Sequence, residues 1–359
     1  DLIRAAEIVK GKKVKEGVAR VARGVTKQKE RMVSSIFIYF IAGVALVILM
    51  RWRLLYREVP APSLEDVGGA VYRVGEAHVV DCGPEHPAAT VLCMHGFVEN
   101  LKYFTEHYRD ADVQLVLINS GDYHLPIADP QRTRADWAHR PDAPLGTILY
   151  DAQVLVQALE HLPRSQSIRV HGHSRGGAVV MQASLLRPDL FEDVEVVLEA
   201  PVLPQARPRK PLSERERWFM PLFFALWRRA PINDKNKRIY GRLDIPRKRA
   251  LIEELPFNGR RVSTLVTNQR DIEHWMRDHD AAAYRHLARG VILVPDDDRV
   301  LDGRSMKASA TQAANLKVVE VADCSHFVLQ DRPEVIPPVI KLETEGAGAS
   351  QEESGADTV

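Results

Sequence analysis

Cysteine is scarce in this chain: Cys82, Cys93 and Cys324 are all that its 359 residues contain. An odd number at wide spacing makes no disulfide framework, and no clustered His and Cys stand at the spacing that holds zinc. An excess of charge of one sign is lacking too. Forty-nine Lys and Arg offset 48 Asp and Glu, a formal +1, so no global field draws the chain to nucleic acid. No G-x-x-x-x-G-K-[ST] phosphate loop and no internal repeat occur, which removes P-loop nucleotide chemistry and solenoid architectures. Chemistry without metal or cofactor is the expectation that remains.

Long apolar runs are rare, and there is one. Residues 32–50 run from Met32 to Met50 without a charge. As a helix this run spans about 28 Å, close to the roughly 30 Å of a bilayer's hydrocarbon core. A buried core helix of that length would show a polar face, and a cleaved signal peptide would end on small residues rather than Arg51-Trp52-Arg53. The run therefore reads as one membrane anchor, with Trp52 and Tyr56 placed for an interfacial belt. Residues 1–31 form a basic arm, and Val14, Val18, Val21 and Val25 make an apolar stripe along it. The stripe fits a helix lying on an anionic membrane or a solvated arm equally well. The positive-inside rule keeps this arm in the cytoplasm and sends the remainder across, although Arg51, Arg53 and Arg57 pull the other way. The chain opens at Asp1 with no methionine, so a start further upstream is expected.

After a linker over 51–70 the pattern changes to short β-type runs between helical segments, as in a mostly parallel α/β sheet. Val71–Val74 and Ala77–Asp81 read as an opening hairpin. Thr90–Met94 and Val113–Asn119 are continuous apolar runs, as expected of strands covered on both faces. A helix over Thr147–Leu162 leads to a strand at 167–173, and further strands follow at Val194–Glu199, Gly290–Val294 and Leu316–Val321. The core thus falls into 71–200 and 286–342. The interval 201–285 is Pro- and Arg-rich and then strongly aromatic at Trp218–Trp227, and it reads as a helical lid. Its aromatic stretch lines a pocket for acyl chains, touches the bilayer, or forms the lid's own core. The Gly/Ala/Ser/Glu-rich residues 343–359 read as a disordered acidic tail.

The strand at 167–173 runs into Gly172-His173-Ser174-Arg175-Gly176, a G-x-S-x-G pattern followed by a helix-forming segment from Ala178. A serine at the apex of a strand-to-helix turn needs residues without side chains at either flank, and the helix N-terminus aims its dipole at the serine oxygen. The pentapeptide is a weak signal alone, and the flanking strand and helix strengthen it. A serine hydroxyl also needs a base, and the base needs an acid to hold its tautomer. Both belong on loops at the C-terminal ends of strands. Asp298 stands in the loop after 290–294 and His326 in the loop after 316–321, giving the order Ser174, Asp298, His326. Asp296, Asp297 and Asp302 compete for the acid's place, with Glu199 a more remote alternative. His171 and His173 flank the serine closely, but neither follows the acid.

On these motifs the chain resembles the α/β-hydrolase superfamily, from about Val71 to Ile340. The resemblance implies Ser174 as nucleophile, His326 in Cys324-Ser325-His326-Phe327 as base, and Asp298 before Arg299-Val300-Leu301 as acid. It also implies an oxyanion hole from the backbone N–H groups of Arg175 and of Phe97, in His95-Gly96-Phe97. The expected activity is hydrolysis of a carboxylic ester through an acyl-enzyme, with an apolar or lipid-like ester favoured by the anchor and aromatic lid. Acyl transfer on the same triad is the alternative within the fold, and a non-catalytic membrane-anchored scaffold the alternative outside it.

Overall fold

The computed structural model describes residues 2–110 and 112–342, with side chains from residue 10 onward, so the expected tail over 343–359 lies outside the described residues. The chain divides after Leu54. Helix α1, Leu2–Tyr56, takes up the first unit and runs on through the basic arm, the apolar run and the start of the expected linker. No proline interrupts it before Pro60, and the glycines along it are isolated. By length and composition its apolar segment is able to cross a membrane, with a mean hydropathy of 2.6 and none of that window buried.

The second unit is built on a nine-stranded sheet in the order β5-β1-β2-β4-β3-β6-β7-β8-β9. The strands are β1 Ala70–Val74, β2 Ala77–Cys82, β3 Ala89–Met94, β4 Val113–Asn119, β5 Gln131–Thr133, β6 Ile168–His173, β7 Glu195–Glu199, β8 Arg289–Pro295 and β9 Lys317–Val321. β2 is antiparallel to both β1 and β4, and the other neighbours are parallel. Every residue of β3 and β4 is buried. Alternation sends Leu92, Met94 and Val116 into one core and Val91, Cys93 and Leu117 into the other, so a strand covered on both faces is apolar throughout.

The first core is closed by α3 Ile148–His161, α4 Arg175–Leu186 and α8 Gly303–Ala310 through residues such as Leu155, Val179 and Met306. The second holds Phe104 of α2, Lys102–Thr105, together with Val328 and Leu329 of the short helix Val328–Asp331 beyond β9. From β3 the chain first steps outward to β4 and later returns to β6 on the other side, which makes a crevice at the C-terminal ends of β3 and β6.

Between β7 and β8 lie α5 Glu214–Trp227, α6 Pro246–Asn258 and α7 Val262–Asp278. α6 is pinned to the sheet's surroundings by polar contacts. Lys248 Nζ donates to Asp331 Oδ1 at 2.6 Å, Lys102 pairs with Glu254, Arg247 pairs with Glu65, and Asn258 Nδ2 donates to the Val98 carbonyl at 2.8 Å. The space left between α6 and Glu99, Tyr103 and Phe327 is about 10 Å³, room for one water. α5 begins with a capping box, in which Ser213 and Glu216 each bond the other's backbone N–H. Its aromatic stretch has two fates: Met220 and Phe224 are buried, while Phe219, Leu222, Phe223 and Leu226 are exposed.

Candidate active site

Ser174 stands between β6 and α4 with φ 52° and ψ −117°, a conformation that non-glycine residues rarely adopt. The turn is possible because its flanks carry no side chain. A Cβ on Gly176 would lie 2.0 Å from the Met94 carbonyl oxygen, and one on Gly172 would lie 2.6 Å from the Gly176 oxygen. Backbone bonds fasten the apex to its neighbours: Ser174 N–H donates to the Glu199 carbonyl at 2.9 Å, and Val202 N–H donates to the Ser174 carbonyl at 2.9 Å.

His326 Nε2 stands 2.8 Å from Ser174 Oγ, and His326 Nδ1 stands 2.7 Å from Asp298 Oδ2. All three residues are buried. The other carboxylate oxygen of Asp298 accepts from Val300 N–H at 2.7 Å and Leu301 N–H at 2.8 Å, which fixes the carboxylate plane. The competing acids have other partners. Asp296 accepts from the Asp323 and Cys324 backbone and shapes the loop that carries His326. Asp297 is paired at the surface with Arg299 at 2.7 Å, and Asp302 caps α8 by accepting from Ser305 N–H. Glu199 accepts from Tyr103 OH at 2.6 Å, His171 and Leu329 N–H.

The loop after β3 lies across the crevice. Among the described residues, neither the Phe97 nor the Arg175 backbone N–H has a hydrogen-bond acceptor. The Arg175 side chain points away into a separate buried pair: Nη1 donates to Asp151 Oδ2 at 2.6 Å, and Nη2 donates to the Thr147 carbonyl at 2.9 Å. His95 braces the loop by accepting from Ser120 N–H at 3.0 Å and donating to the Gly96 carbonyl at 2.8 Å, and burial lowers its pKa.

The two histidines of β6 take opposite protonation states, for reasons visible in their partners. His171 faces Glu199 with Nε2 at 3.1 Å and the Tyr108 hydroxyl with Nδ1 at 2.8 Å. One nitrogen donates and the other accepts, and burial lowers its pKa. His173 meets Glu99 Oε2 at 2.7 Å with Nδ1 and the His326 carbonyl at 2.9 Å with Nε2. Both partners are acceptors, so both nitrogens donate and the ring is an imidazolium. Burial alone would lower its pKa, but the charges of Glu99 and Glu199 outweigh that and raise it to about 9. Burial likewise opposes the charge of Glu199, yet the positive His173 and the bonds from His171 and Tyr103 hold its carboxyl down at about 2. The His173 ring stacks on Tyr103 at 4.4 Å and lies 5.0 Å from the His326 ring.

Glu99 and His173 are the part of the site that the sequence did not single out as a pair. Glu99 Oε2 also accepts from Gly96 N–H at 2.7 Å. One carboxylate thus ties the loop after β3 to His173, the residue before Ser174, and the other ring nitrogen of His173 ties it to the loop of His326. The available signal was topological: once β3 and β6 are taken as neighbours, a carboxylate three residues beyond Gly96 faces the residue preceding Ser174. Among the described residues no group of His, Cys, Asp and Glu is arranged to hold a metal.

Residues 91–336, more than half of the chain, match the alpha/beta hydrolase family. The uncharacterized hydrolase YugF of Bacillus subtilis is 24% identical over 265 residues, covering 69% of this chain and 86% of that protein. Among solved structures, an esterase from Exiguobacterium antarcticum superposes with a TM-score of 0.55 at 13% identity, over 75% of this chain and 96% of that one. A carboxylesterase structure from the Thaumarchaeon Nitrososphaera gargenis superposes with a TM-score of 0.50 at 13% identity, over 72% and 90%. These identities carry a likeness of fold and no more. The mostly parallel sheet, the serine at its strand-to-helix turn and the family match place this chain in the alpha/beta hydrolase family.

Proposed function

We propose that the chain is a membrane-anchored serine hydrolase that cleaves a carboxylic ester through an acyl-enzyme. The observation that carries this reading is the buried relay from Ser174 Oγ through the His326 ring to Asp298, with steps of 2.8 and 2.7 Å. Ser174 Oγ attacks the ester carbon while His326 Nε2 takes its proton, and Asp298 holds the ring and balances the imidazolium. The negative charge on the carbonyl oxygen goes to the free N–H groups of Phe97 and Arg175, each such donor being worth about 3 kcal/mol in the transition state. Collapse of the intermediate releases the alcohol, which leaves with the proton from His326. Water then attacks the acyl-serine, gives its proton to His326, and frees the acid as Ser174 regains its hydrogen. In this reading Glu99 and His173 are positioning residues that keep the two N–H groups and the serine turn in one frame.

Residues 71–200 and 286–342 form the catalytic core, 201–285 its cap, and 32–50 a single-pass anchor with the N-terminus in the cytoplasm. The anchor and the aromatic cap favour an apolar or lipid-like ester, such as a lysophospholipid or an acylglycerol. The esterase neighbours in fold agree with ester chemistry. Acyl transfer uses the same residues with an alcohol or amine in place of water. The test is hydrolysis of a panel of p-nitrophenyl and lysophospholipid esters by the full chain in detergent, with product analysis in the presence and absence of an added alcohol. Turnover to free acid supports the hydrolase, ester product with the alcohol supports transfer, and full activity in Ser174→Ala sinks both.

A further inference from the structure

Phe219, Leu222, Phe223 and Leu226 of α5 recur at the three- and four-residue spacing of one helix face, and they are 46, 49, 59 and 55% exposed. The opposite face is seated in the second core through Met220 and Phe224. α5 is therefore fixed in place, and its outer apolar stripe is a built surface rather than an undocked one. Arg215, one turn before Phe219, and Arg229, three residues after Leu226, stand at the two ends of this stripe, both exposed. Among the described residues Arg215, Arg229, Lys235 and Arg238 have no ion-pair partner. Charge is concentrated here: from Arg207 to Arg242 there are eleven Lys and Arg against three acids, in a chain whose whole balance is +1.

We propose that α5 is a second membrane-contacting element, lying flat in the headgroup region of an anionic bilayer with Phe219, Leu222, Phe223 and Leu226 toward the acyl chains. A stripe of large apolar and aromatic residues with arginines at its ends is the pattern of an interfacial helix, whose cations reach back to the headgroups. The surrounding basic surface supplies attraction to anionic lipid. An exposed apolar patch rimmed with cations in one part of an otherwise neutral protein marks an interaction site, and its cationic rim selects a lipid surface over an apolar protein groove. The nearness of a bilayer rests on reading residues 32–50 as an anchor, since only residues 51–54 separate that run from the start of the second unit at Leu55. The catalytic assignment is not needed. Because α5 belongs to the insertion that follows β7, such contact would bring the cap against the surface from which a lipid ester comes.

The experiment places a photoreactive benzoylphenylalanine at Phe223 in the full chain, and at Lys317 as control. Lys317 is exposed at the N-terminal end of β9, the end of the sheet away from the loops that lead into the insertion. The protein is reconstituted in vesicles of phosphatidylcholine alone or with a third of phosphatidylglycerol. Lipid adducts are read by mass spectrometry, and flotation of the wild-type chain reports the anchor separately. The expected result is lipid adduct at 223 and not at 317, stronger with the anionic lipid, and about tenfold weaker in Arg215→Glu/Arg229→Glu. Three results would overturn the proposal: no lipid adduct at 223 in a chain that floats, equal adducts at both positions, or an adduct at 223 to a second copy of the chain. A chain that fails to float but still gives lipid adduct at 223 removes the anchor and leaves the α5 contact standing.

Discussion

The strand ends around Ser174 and the insertion between β7 and β8 are organised on different principles. At the strand ends, parallel pairing of β3, β6, β7 and β8 brings four loops together, and one register fixes where each side chain points. In the insertion no sheet sets positions. α6 is located by individual polar contacts such as Lys248 to Asp331, and α5 by one buried face. Position by topology is repeated in any chain with the same strand order, whereas position by single ion pairs depends on each partner. The site should therefore be sensitive in rate to its own few residues, and the insertion sensitive in stability to its pins.

The largest effect expected on that comparison is at the acids of the loop after β8. Asp298→Asn should lower kcat by about 10³ to 10⁴, from loss of the correct His326 tautomer, while Asp297→Asn one residue away should leave it within a factor of about 2. Ester hydrolysis by both variants measures this, and equal losses would remove Asp298 from the role assigned to it.

Next comes the pin that holds α6. Lys248 and Asp331 are both fully buried, so Lys248→Ala leaves a buried carboxylate without its cation and should destabilise the fold by about 3 to 5 kcal/mol. Lys248→Met with Asp331→Leu should recover most of that loss. Denaturant titration of the two variants decides it, and a Lys248→Ala chain as stable as wild type would contradict the account of how α6 is held.

Glu99→Gln tests the link between the two regimes, because it keeps shape and removes charge. Loss of a charge-assisted bond of about 1.5 to 3 kcal/mol, read as transition-state stabilisation, predicts a kcat lowered about tenfold to a hundredfold with KM little changed. A change in KM alone would point to substrate contact instead.

The smallest effect is in pH dependence. His173 is raised from 6.5 to about 9, so its contribution to stability is complete below about 6.5 and is lost as pH rises through about 9. Glu199 is lowered from 4.5 to about 2, so its contribution is complete above 4.5 and is lost as pH falls toward 2. The melting temperature should therefore be highest between these limits and fall by a few degrees on the alkaline side. In Glu99→Gln that alkaline fall should shrink, as thermal scans across the range would show.

What the sequence made legible follows the same division. The runs Thr90–Met94 and Val113–Asn119 are within one residue of β3 and β4, because burial on both faces leaves no polar position to blur the pattern. Ser174, Asp298 and His326 could be singled out as candidates because each stands in the turn or loop that follows a strand-like run. β5 was invisible: three exposed polar residues, Gln131–Thr133, pair at the sheet edge with no apolar signature. The Glu99–His173 pair joins residues 74 apart in sequence and depends on strand order, which periodicity does not carry. The aromatic stretch at 218–227 could be recognised as apolar, but which of its residues face the core depends on how α5 is seated. The basic arm and the apolar run merged into one helix because sequence patterns mark changes of composition, and here composition changes without breaking the helix.

Whether Ser174 is an activated nucleophile is read most directly by labelling the detergent-solubilised chain with a fluorophosphonate, in which Ser174 Oγ displaces fluoride. Mass spectrometry of the labelled peptide should place one adduct on Ser174, with labelling absent in Ser174→Ala and greatly slowed in His326→Ala. A folded wild-type chain that takes no label, or one that labels equally well without the Ser174 hydroxyl, would contradict the account and favour a hydrolase-shaped scaffold.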